Sequence, residues 1–304
     1  MMKKSGMVAL AGRPNSGKST LMNKILGTAL SIVTPKAQTT RERVRGVYTD
    51  RVGQMVFTDT PGIHRAKIGG FNEFMVKEAK EAIHHDSDLI WYLVDPASGL
   101  SYESPVIEIL SQMKKPVIVL FNKIDTMDYK KNREQQQEFQ QSLLMALEGQ
   151  EVKVVSSFEI SAKHGSQVEK LMTETWRHLK EGPFLYPEDE LSDRPVRFFV
   201  GEKIREQLYL HLGQEIPYSC AVSIEKMKEN QNPVLIEAHI HVERESQKGM
   251  VVGKGGSKIR MIGSDSRKQL EKFLERRVYL DLKVKVLPQW TKNKKALREM
   301  GYVL

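Results

Sequence analysis

Residues 12–19 read Gly12-Arg13-Pro14-Asn15-Ser16-Gly17-Lys18-Ser19. They match the pattern G-x-x-x-x-G-K-S/T, in which backbone N–H groups surround a phosphate, the lysine reaches the β- and γ-phosphates and the hydroxyl binds Mg²⁺. An apolar run, residues 7–11, comes before this stretch, and Leu21 and Ile25 follow it at helical spacing. We therefore expect a buried strand, a glycine-containing loop and a helix whose N-terminus faces the phosphates.

The length and composition of the chain set the broad class. With 304 residues the chain is long enough for two domains, each with its own core. Its one cysteine, Cys220, excludes an internal disulfide framework and suits a reducing compartment. The longest apolar run, residues 89–94, is far shorter than a membrane span. We expect a soluble, cytoplasmic protein.

The positive charge lies in the last third of the sequence. Residues 1–193 contain 25 Lys and Arg against 25 Asp and Glu, whereas residues 194–304 contain 22 against 13. The second part therefore carries the whole net charge of +9. A basic module joined to a neutral one indicates a polyanionic partner for that module.

Two more segments of the first part carry residues that suit Mg²⁺ and a γ-phosphate. Gln38-Thr39-Thr40-Arg41 lies in a predicted loop over residues 31–45, where a threonine hydroxyl can bind Mg²⁺ and sense the γ-phosphate. Asp59 ends an apolar run, and Gly62 follows three residues later. The aspartate is expected to hold the metal ion, and the glycine can offer its N–H to the γ-phosphate.

The segment Asn122-Lys123-Ile124-Asp125 predicts which base is bound. A carboxylate accepts two hydrogen bonds from guanine, whose edge has two adjacent donors, and adenine does not offer that pair. We expect Asp125 to recognise guanine, with Asn122 and Lys123 bracing the loop and Ser161-Ala162-Lys163 behind the base. Because these loops follow apolar runs and strands alternate with helices, a mostly parallel sheet should carry the site at its carboxyl edge.

The five loops, residues 12–19, 38–41, 59–62, 122–125 and 161–163, resemble those of translation-factor-class GTPases. Gly-Arg-Pro-Asn at 12–15 with Thr-Thr-Arg at 39–41 is similar to the Era branch in particular. The resemblance implies an α/β P-loop GTPase domain that binds GTP or GDP with Mg²⁺, with K⁺ near Asn15. The nucleotide-binding residues are expected to be Gly12, Arg13, Pro14, Asn15, Ser16, Gly17, Lys18, Ser19, Thr20, Thr39, Thr40, Asp59, Thr60, Pro61, Gly62, Asn122, Lys123, Asp125, Ser161, Ala162 and Lys163.

Catalysis is expected to depend on a smaller set. We assign catalytic roles to Lys18, Thr40 and Gly62, and the metal site to Ser19, Thr40 and Asp59; Thr40 is preferred to Thr39 because it directly precedes Arg41. Ras-like proteins have a glutamine after the Asp-x-x-Gly glycine, but this chain has Ile63. Isoleucine cannot orient water, so intrinsic hydrolysis should be slow unless K⁺, a loop movement or a partner assists.

A polar, proline-containing stretch, residues 187–195, is predicted to link a GTPase domain over 1–186 to a second domain over 196–304. In the second domain we expect a helix over 199–212, strands over 220–225 and 234–242, a glycine loop at 253–256, a basic helix through 275 and a strand over 278–286. That order, with G-x-x-G ahead of the basic helix, predicts an α+β K-homology (KH) domain of type II.

Gly253-Lys254-Gly255-Gly256 predicts a loop that a nucleic-acid backbone can approach closely, with Lys254 meeting phosphate. Beside it, Val252, Ile259 and Ile262 are expected to form an apolar platform for unstacked bases. The expected RNA-binding residues are Lys248, Val252, Gly253, Lys254, Gly255, Gly256, Lys258, Ile259, Ile262 and Arg267.

The similarity to the Era family continues through the second part, at Ile204-Arg205-Glu206, residues 215–219 and residues 253–259. It implies a GTPase that binds the 3′ end of small-subunit (16S) ribosomal RNA, acts in assembly of the small ribosomal subunit and can associate peripherally with the membrane. We expect the protein to be a monomer. Two alternatives remain open from the sequence. One is an RNA-binding protein whose nucleotide site is structural and whose hydrolysis is incidental, and the other is an ATP-using P-loop enzyme, which residues 122–125 argue against.

Overall fold

A computed structural model describes residues 3–36, 38–64, 71–85, 87–126, 129, 131–213, 216–300 and 302. Contacts between residues divide the chain into two units, and the main division falls between Asp193 and Arg194. The short segment Ile32–Thr39 groups with the second unit. None of the helices in the described part of the chain is both long and apolar enough to cross a membrane.

The first unit is built on a twisted sheet with the strand order β2-β3-β1-β4-β5-β6. Its strands are β1 (Lys4–Gly12), β2 (Val44–Thr49), β3 (Gly53–Asp59), β4 (Leu89–Val94), β5 (Val117–Phe121), β6 (Val154–Glu159) and the two-residue β7 (Lys180–Glu181). Strand β2 runs antiparallel to β3, and β7 antiparallel to β1. The other pairings are parallel, as the sequence predicted.

Helices alternate with these strands and cover the sheet. They are α1 (Lys18–Leu26), α2 (Phe71–His84), α3 (Ser104–Ser111), α4 (Arg133–Gly149) and α5 (Val168–His178). The apolar runs that predicted strands β4 and β5 are buried along their whole length, because a parallel sheet packs helices on both faces. The loops after β1, β3, β5 and β6 consequently meet at one edge of the sheet.

The second unit has a three-stranded sheet with the order β10-β9-β8. Its elements are α6 (Val196–His211), β8 (Ala221–Lys228), β9 (Val234–Val242), α7 (Glu245–Val252), α8 (Ser257–Leu274), β10 (Val278–Val286) and α9 (Lys294–Glu299). Strand β9 pairs antiparallel with β8 and parallel with β10. This is the predicted type II KH topology, and its core is formed where α6 and α8 pack on the sheet.

Strand β8 extends to Lys228, three residues beyond the predicted end at 225. Two predicted loop segments also differ from the sequence expectation. The loop predicted over residues 31–45 ends earlier, because β2 begins at Val44. Residues 187–195 were expected to be a plain linker, but Val47 N–H donates to the carbonyl of Leu191 at 2.9 Å. The carboxylate of Asp193 also lies 3.3 Å from the guanidinium of Arg45. The end of this stretch is therefore fastened to edge strand β2 of the first unit.

Candidate nucleotide site and nucleic-acid interface

The phosphate loop joins β1 to α1 and depends on glycine at its turns. Gly17 has φ 103°, in the left-handed region that glycine adopts without strain. A Cβ atom there would lie only 2.1 Å from Nδ2 of Asn122. The close approach brings the first N–H groups of α1 together with residues 122–125, the predicted guanine-recognition loop, so phosphate and base would be held by one connected structure.

Lys18 lies buried at the start of α1. Its Nζ donates to the carbonyl oxygens of Gly12 at 3.0 Å and Arg13 at 2.8 Å. Burial lowers the pKa of Lys18 to about 8, although the negative charges of Asp59 and Glu103 act in the opposite direction. The ammonium group is therefore held in the loop by weak acceptors that phosphate oxygens can replace.

The predicted metal ligands meet at one point. Oδ2 of Asp59 accepts from Ser19 Oγ at 2.6 Å and from Thr40 Oγ1 at 3.3 Å, and the two hydroxyl oxygens are 3.0 Å apart. Burial raises the pKa of Asp59, and the hydrogen bonds from Ser19 and Thr40 oppose that rise. Its Oδ1 is buried and has no hydrogen-bond partner among the described residues.

These groups fit Mg²⁺ well. One carboxylate and two hydroxyl groups are hard oxygen ligands, and Mg²⁺ prefers such ligands together with water and substrate phosphates. The orphaned Asp59 oxygen gives the cation a further acceptor, and burial of that carboxylate is easier to explain when a cation compensates its charge. When bound, Mg²⁺ would neutralise charge on the β- and γ-phosphates.

Gly62 lies against the phosphate loop. A Cβ atom at this position would be 2.5 Å from the backbone nitrogen of Pro14, so only glycine fits. Ile63 N–H donates to Gly12 O at 3.0 Å, and the Ile63 side chain is buried in the core of the first unit. The position that carries glutamine in Ras-like proteins thus faces inward. His64 follows, with Nδ1 3.0 Å from the Gly62 carbonyl oxygen.

Asn122 connects the loops that are predicted to surround the base. Its Nδ2 donates to Ser16 O at 2.8 Å, and its Oδ1 accepts from Ala162 N–H at 2.9 Å. Next to it, Lys123 Nζ lies 2.6 Å from the carboxylate of Asp95 at the end of β4. The bracing that the sequence predicted for Asn122 and Lys123 is therefore supplied by these contacts.

Asp125 is held ready for a base. Its Oδ1 accepts from Ser161 Oγ at 2.6 Å, and Oδ2 lies 3.6 Å from Nε2 of His164. Partial burial acts to raise the pKa of Asp125, but the Ser161 hydrogen bond and the nearby positive groups outweigh it, and the pKa lies below its usual range. The carboxylate is ionised at neutral pH and can accept two hydrogen bonds from guanine.

Some predicted nucleotide-binding residues have side chains occupied elsewhere. Arg13 lies over the ring of Tyr102 at 4.8 Å and 4.0 Å from the buried carboxylate of Glu103. The Thr60 hydroxyl donates to Leu10 O at 2.7 Å and so fastens β3 to β1. Arg13 and Thr60 are placed to contribute through their backbones. Glu103 was missed, because a loop glutamate carries no motif of its own.

In the second unit, the glycine loop lies between α7 and α8. Gly253, Gly255 and Gly256 have φ values of 72°, 59° and 76°. A Cβ atom at Gly253 would be 2.8 Å from Cβ of Lys258, whereas nothing lies within 4 Å of that position at Gly255. Lys254 is exposed at the tip. The loop thus presents bare backbone and an ammonium group at the N-terminus of α8, where anions are favoured.

Arg260 is a residue that the sequence reasoning did not select. Its guanidinium donates to the carbonyl of Gly255, and its Nε donates to Gly256 O at 3.2 Å. It lies one helical turn after the loop, so it both supports the loop carbonyls and adds positive charge there. Its position four residues after Gly256 was the sequence feature that could have predicted this contact.

The prediction that Ile262 contacts RNA bases is wrong. Ile262 is completely buried and packs in the core with Leu208, Ile240 and Val251, so it cannot stack on a base. Ile259 lies about one turn earlier on the same side of α8, at the edge of this core, and is half-buried. Val252 is also half-buried. Two methionines on the helices flanking the loop are exposed and were missed, Met250 at 53% and Met261 at 52%.

Comparison with known families agrees with this organisation. Residues 7–123 match the family model described as 50S ribosome-binding GTPase, and residues 215–291 match the model of the KH domain. The chain is therefore a P-loop GTPase followed by a KH domain. Relatives described as GTPase Era include that of Geobacter sp. (strain M21), 42% identical over 301 residues that cover 98% of each chain. Another is that of Thermotoga maritima, 42% identical over 304 residues covering 99% of this chain and 98% of the relative.

Two solved structures align over nearly the full length. A variant of Era from Aquifex aeolicus bound to GDP and AlF4⁻ is 36% identical, with a TM-score of 0.90 over 99% of this chain and 100% of that one. An Era complex with MgGDPNP and nucleotides 1506–1542 of 16S ribosomal RNA is 37% identical, with a TM-score of 0.88 and the same coverage. The chain belongs to the Era family of GTPases.

Proposed function

We propose that this protein is a GTP-hydrolysing switch that binds the 3′ end of 16S ribosomal RNA and acts in assembly of the small ribosomal subunit. The observation that carries the proposal is that one chain holds a complete set of guanine-nucleotide loops and a glycine loop in a basic KH domain. A relative of the same length and order of domains was crystallised with both MgGDPNP and that RNA segment.

Within the nucleotide site, Lys18 would stabilise the charge that develops on the transferred phosphoryl group. Ser19, Thr40 and Asp59 would hold Mg²⁺, and the Gly62 N–H would bind the γ-phosphate. Support comes from the distances of 2.6–3.3 Å between the three metal-site side chains and from the contact of Gly62 with the phosphate loop.

No glutamine follows Gly62, and Ile63 is buried. We therefore propose that intrinsic hydrolysis is slow, with K⁺ near Asn15 assisting. Asn15 has a left-handed backbone, φ 62°, which turns the loop at this position and supports a specialised role there.

In the KH domain, the RNA backbone would lie along residues 253–256, with Lys254, Lys258 and Arg260 neutralising phosphates. Unstacked bases would pack on Val252 and Ile259, and Lys248 and Arg267 would extend the basic surface.

We further propose that the domains are residues 1–186 and 196–304, and that the protein is a cytoplasmic monomer with a peripheral membrane fraction. The basic second domain supports that last proposal.

The experiment that tests the nucleotide assignment compares Asp125→Asn with the wild type. An amide at position 125 offers a donor where guanine needs an acceptor, so binding of GDP should fall by at least about tenfold and binding of xanthosine diphosphate should rise. Fluorescence titration with labelled nucleotides measures both. Unchanged preference for GDP in the variant would contradict the assignment.

Hydrolysis itself is measured as phosphate release from GTP and from ATP, in K⁺ and in Na⁺, with and without the RNA segment. We expect phosphate release from GTP and not from ATP, and we expect the rate with GTP to be higher in K⁺ than in Na⁺ or higher when the RNA segment is present. A rate below detection in every condition would instead support a structural nucleotide site in an RNA-binding protein.

A further inference from the structure

We propose that the protein has a second metal site, which lies in the KH domain. In this site Glu225, His239 and His241 bind a divalent transition metal ion, and Zn²⁺ is the best match. This site is separate from the nucleotide and RNA-binding residues described above. It lies on the face of the three-stranded sheet opposite to the domain core, and its ligands come from the two strands β8 and β9.

The strand register places the two imidazoles side by side. Along β9, Ile236, Ala238 and Ile240 are completely buried in the domain core. Because side chains of a strand alternate between faces, His239 and His241 point to the opposite face. Their rings make an edge-to-face contact with centroids 6.0 Å apart. Two histidines are thus fixed next to each other without any loop.

A bulge in β8 turns the carboxylate toward these imidazoles. Ser223 pairs with His239 and Ile224 with Ala238, but the next pair is Lys226 with Glu237, so Glu225 is the extra residue. Bulges re-aim side chains and are frequent beside functional sites. Glu225 Oε1 consequently lies 3.2 Å from Nδ1 of His239.

The donor atoms converge. One ligand atom from each of the three residues lies within 4.8 Å of the others. Ser223 Oγ is in their midst, 2.8 Å from Nε2 of His241 and 2.6 Å from Oε1 of Glu225. Its hydroxyl occupies the place of a shared partner, and a change of Ser223 to another χ1 rotamer would open that place to an ion.

The chemistry of the donor set selects the ion. Two imidazole nitrogens and one carboxylate oxygen are the protein ligands of many three-ligand zinc sites, whereas Mg²⁺ and Ca²⁺ prefer oxygen alone. The His239 and His241 side chains are mostly buried, while that of Glu225 is 44% exposed, so the site is closed on one side and open to solvent on the other. The open side leaves room for a water molecule as fourth ligand.

Positive charge on β10 opposes the ion. Lys283 pairs with His239 in the sheet, and Lys285 pairs with His241. The Lys283 ammonium is 3.1 Å from the carboxylate of Asp281, which compensates its charge. Lys285 is therefore the residue expected to limit affinity, and its replacement by glutamine should tighten metal binding.

The bound ion would join β8 to β9 and so stabilise the KH fold, because anything that binds only the folded state raises its stability. The test uses full-length protein, stripped of metal with a chelator and then saturated with GDP and Mg²⁺ to fill the nucleotide site. Calorimetric titration with Zn²⁺ and visible absorption with Co²⁺ report binding and coordination geometry. We expect one ion per chain and a rise in the unfolding temperature with Zn²⁺.

Two variants and one control locate the ion. Glu225→Gln changes a half-exposed side chain and should weaken Zn²⁺ binding by about tenfold or more, while Lys285→Gln should strengthen it. The control is His211→Gln, which removes a histidine of the same unit that pairs with Asp265 at 3.0 Å. Absence of saturable binding, or equal binding in Glu225→Gln and the wild type, would show a hydrogen-bonded cluster only and overturn the proposal.

Discussion

Lys18 is a buried cation whose nearest acceptors are two backbone carbonyls. Burial brings its pKa to about 8 from the unfolded value of 10.5, so the folded protein disfavours the charged form. Lys18 destabilises the fold below pH 8, and this effect disappears as the pH rises through the interval from 8 to 10.5. A bound di- or triphosphate reverses the preference, because it stabilises the ammonium group.

Nucleotide binding should therefore take up protons near pH 8. At that pH about half of Lys18 is neutral in the free protein, so binding of GDP should take up about half a proton per site. Calorimetric titration in two buffers with different heats of ionisation measures this uptake. Equal binding heats in both buffers would contradict a lowered pKa of Lys18.

Individual residues whose role follows from a sequence motif could be predicted from the sequence. Ser19, Thr40 and Asp59 were expected to bind one metal ion, and the structure brings their oxygens together. Ile262 was placed wrongly, because Ile259 and Ile262 lie on the same side of α8 and only the tertiary packing decides which of them is completely buried. Glu103 was missed because its contacts with Tyr92 and Arg13 depend on how the chain folds and form no local sequence pattern.

Helix α6 contains a buried ion pair. The Arg205 side chain is 2% exposed, and its Nε donates to Oε1 of Glu202 at 2.7 Å. Burial acts to lower the pKa of Arg205, but the Glu202 carboxylate outweighs it and raises the pKa above its usual value. A second donor of the same guanidinium binds the carbonyl of Thr39, which belongs to the same unit. The helix thus depends on one carboxylate to neutralise a charge in its packed face.

Removing that carboxylate should destabilise the second unit strongly. Glu202→Ala leaves a buried, unpaired guanidinium, and we expect a loss of about 3 kcal/mol in the free energy of unfolding. Urea unfolding of the full-length protein measures it. The matched control is Glu237→Ala, which breaks a half-exposed pair with Lys226 at 3.5 Å and should cost about 1 kcal/mol or less. Equal effects of the two changes would contradict the buried pair.

The loop between α7 and α8 gives a second comparison at this scale. Gly253→Val introduces a Cβ atom 2.8 Å from Lys258 Cβ into a backbone with φ 72°, so the loop must move. RNA binding should weaken by about tenfold or more while GDP binding is unchanged. Fluorescence anisotropy with labelled RNA measures the change.

Gly249→Ala is the control for this loop, since Gly249 lies in α7 and an added Cβ atom would meet nothing within 4 Å. Alanine favours the helix, so the fold should be stabilised slightly and RNA binding retained. Full RNA affinity in Gly253→Val would mean that the loop does not contact the backbone of the RNA.

Elements with a clear hydrophobic period were predictable. Strands β9 and β10 were expected at residues 234–242 and 278–286, and they have those bounds. Strand β2 was not predicted, because Val44–Thr49 contains an arginine and a glycine. It lies at the edge of the sheet and pairs with one neighbouring strand, β3, so its sequence lacks the continuous apolar run of a central strand. Its contact with Leu191 depends on chain folding that no local pattern records.

For the molecule as a whole, the net charge is distributed unevenly along the chain. All of the net +9 lies in residues 194–304, where the KH domain is found. Electrostatic attraction will contribute to the binding of any RNA and will weaken steeply with salt. The logarithm of the binding constant should fall linearly with the logarithm of the salt concentration, with a slope of about −0.7 times the number of phosphates neutralised. Recognition of a particular RNA must therefore be measured near physiological salt, against an RNA of equal length and charge.

The most direct measurement is the affinity of the full-length protein, loaded with MgGDPNP, for the 16S segment that the crystallised relative binds. The comparison is a scrambled RNA of the same length and composition at physiological salt. A guanine-nucleotide switch that captures the 3′ end of this RNA should bind the natural segment at least about tenfold more tightly. Equal affinities for the two RNAs would contradict the account.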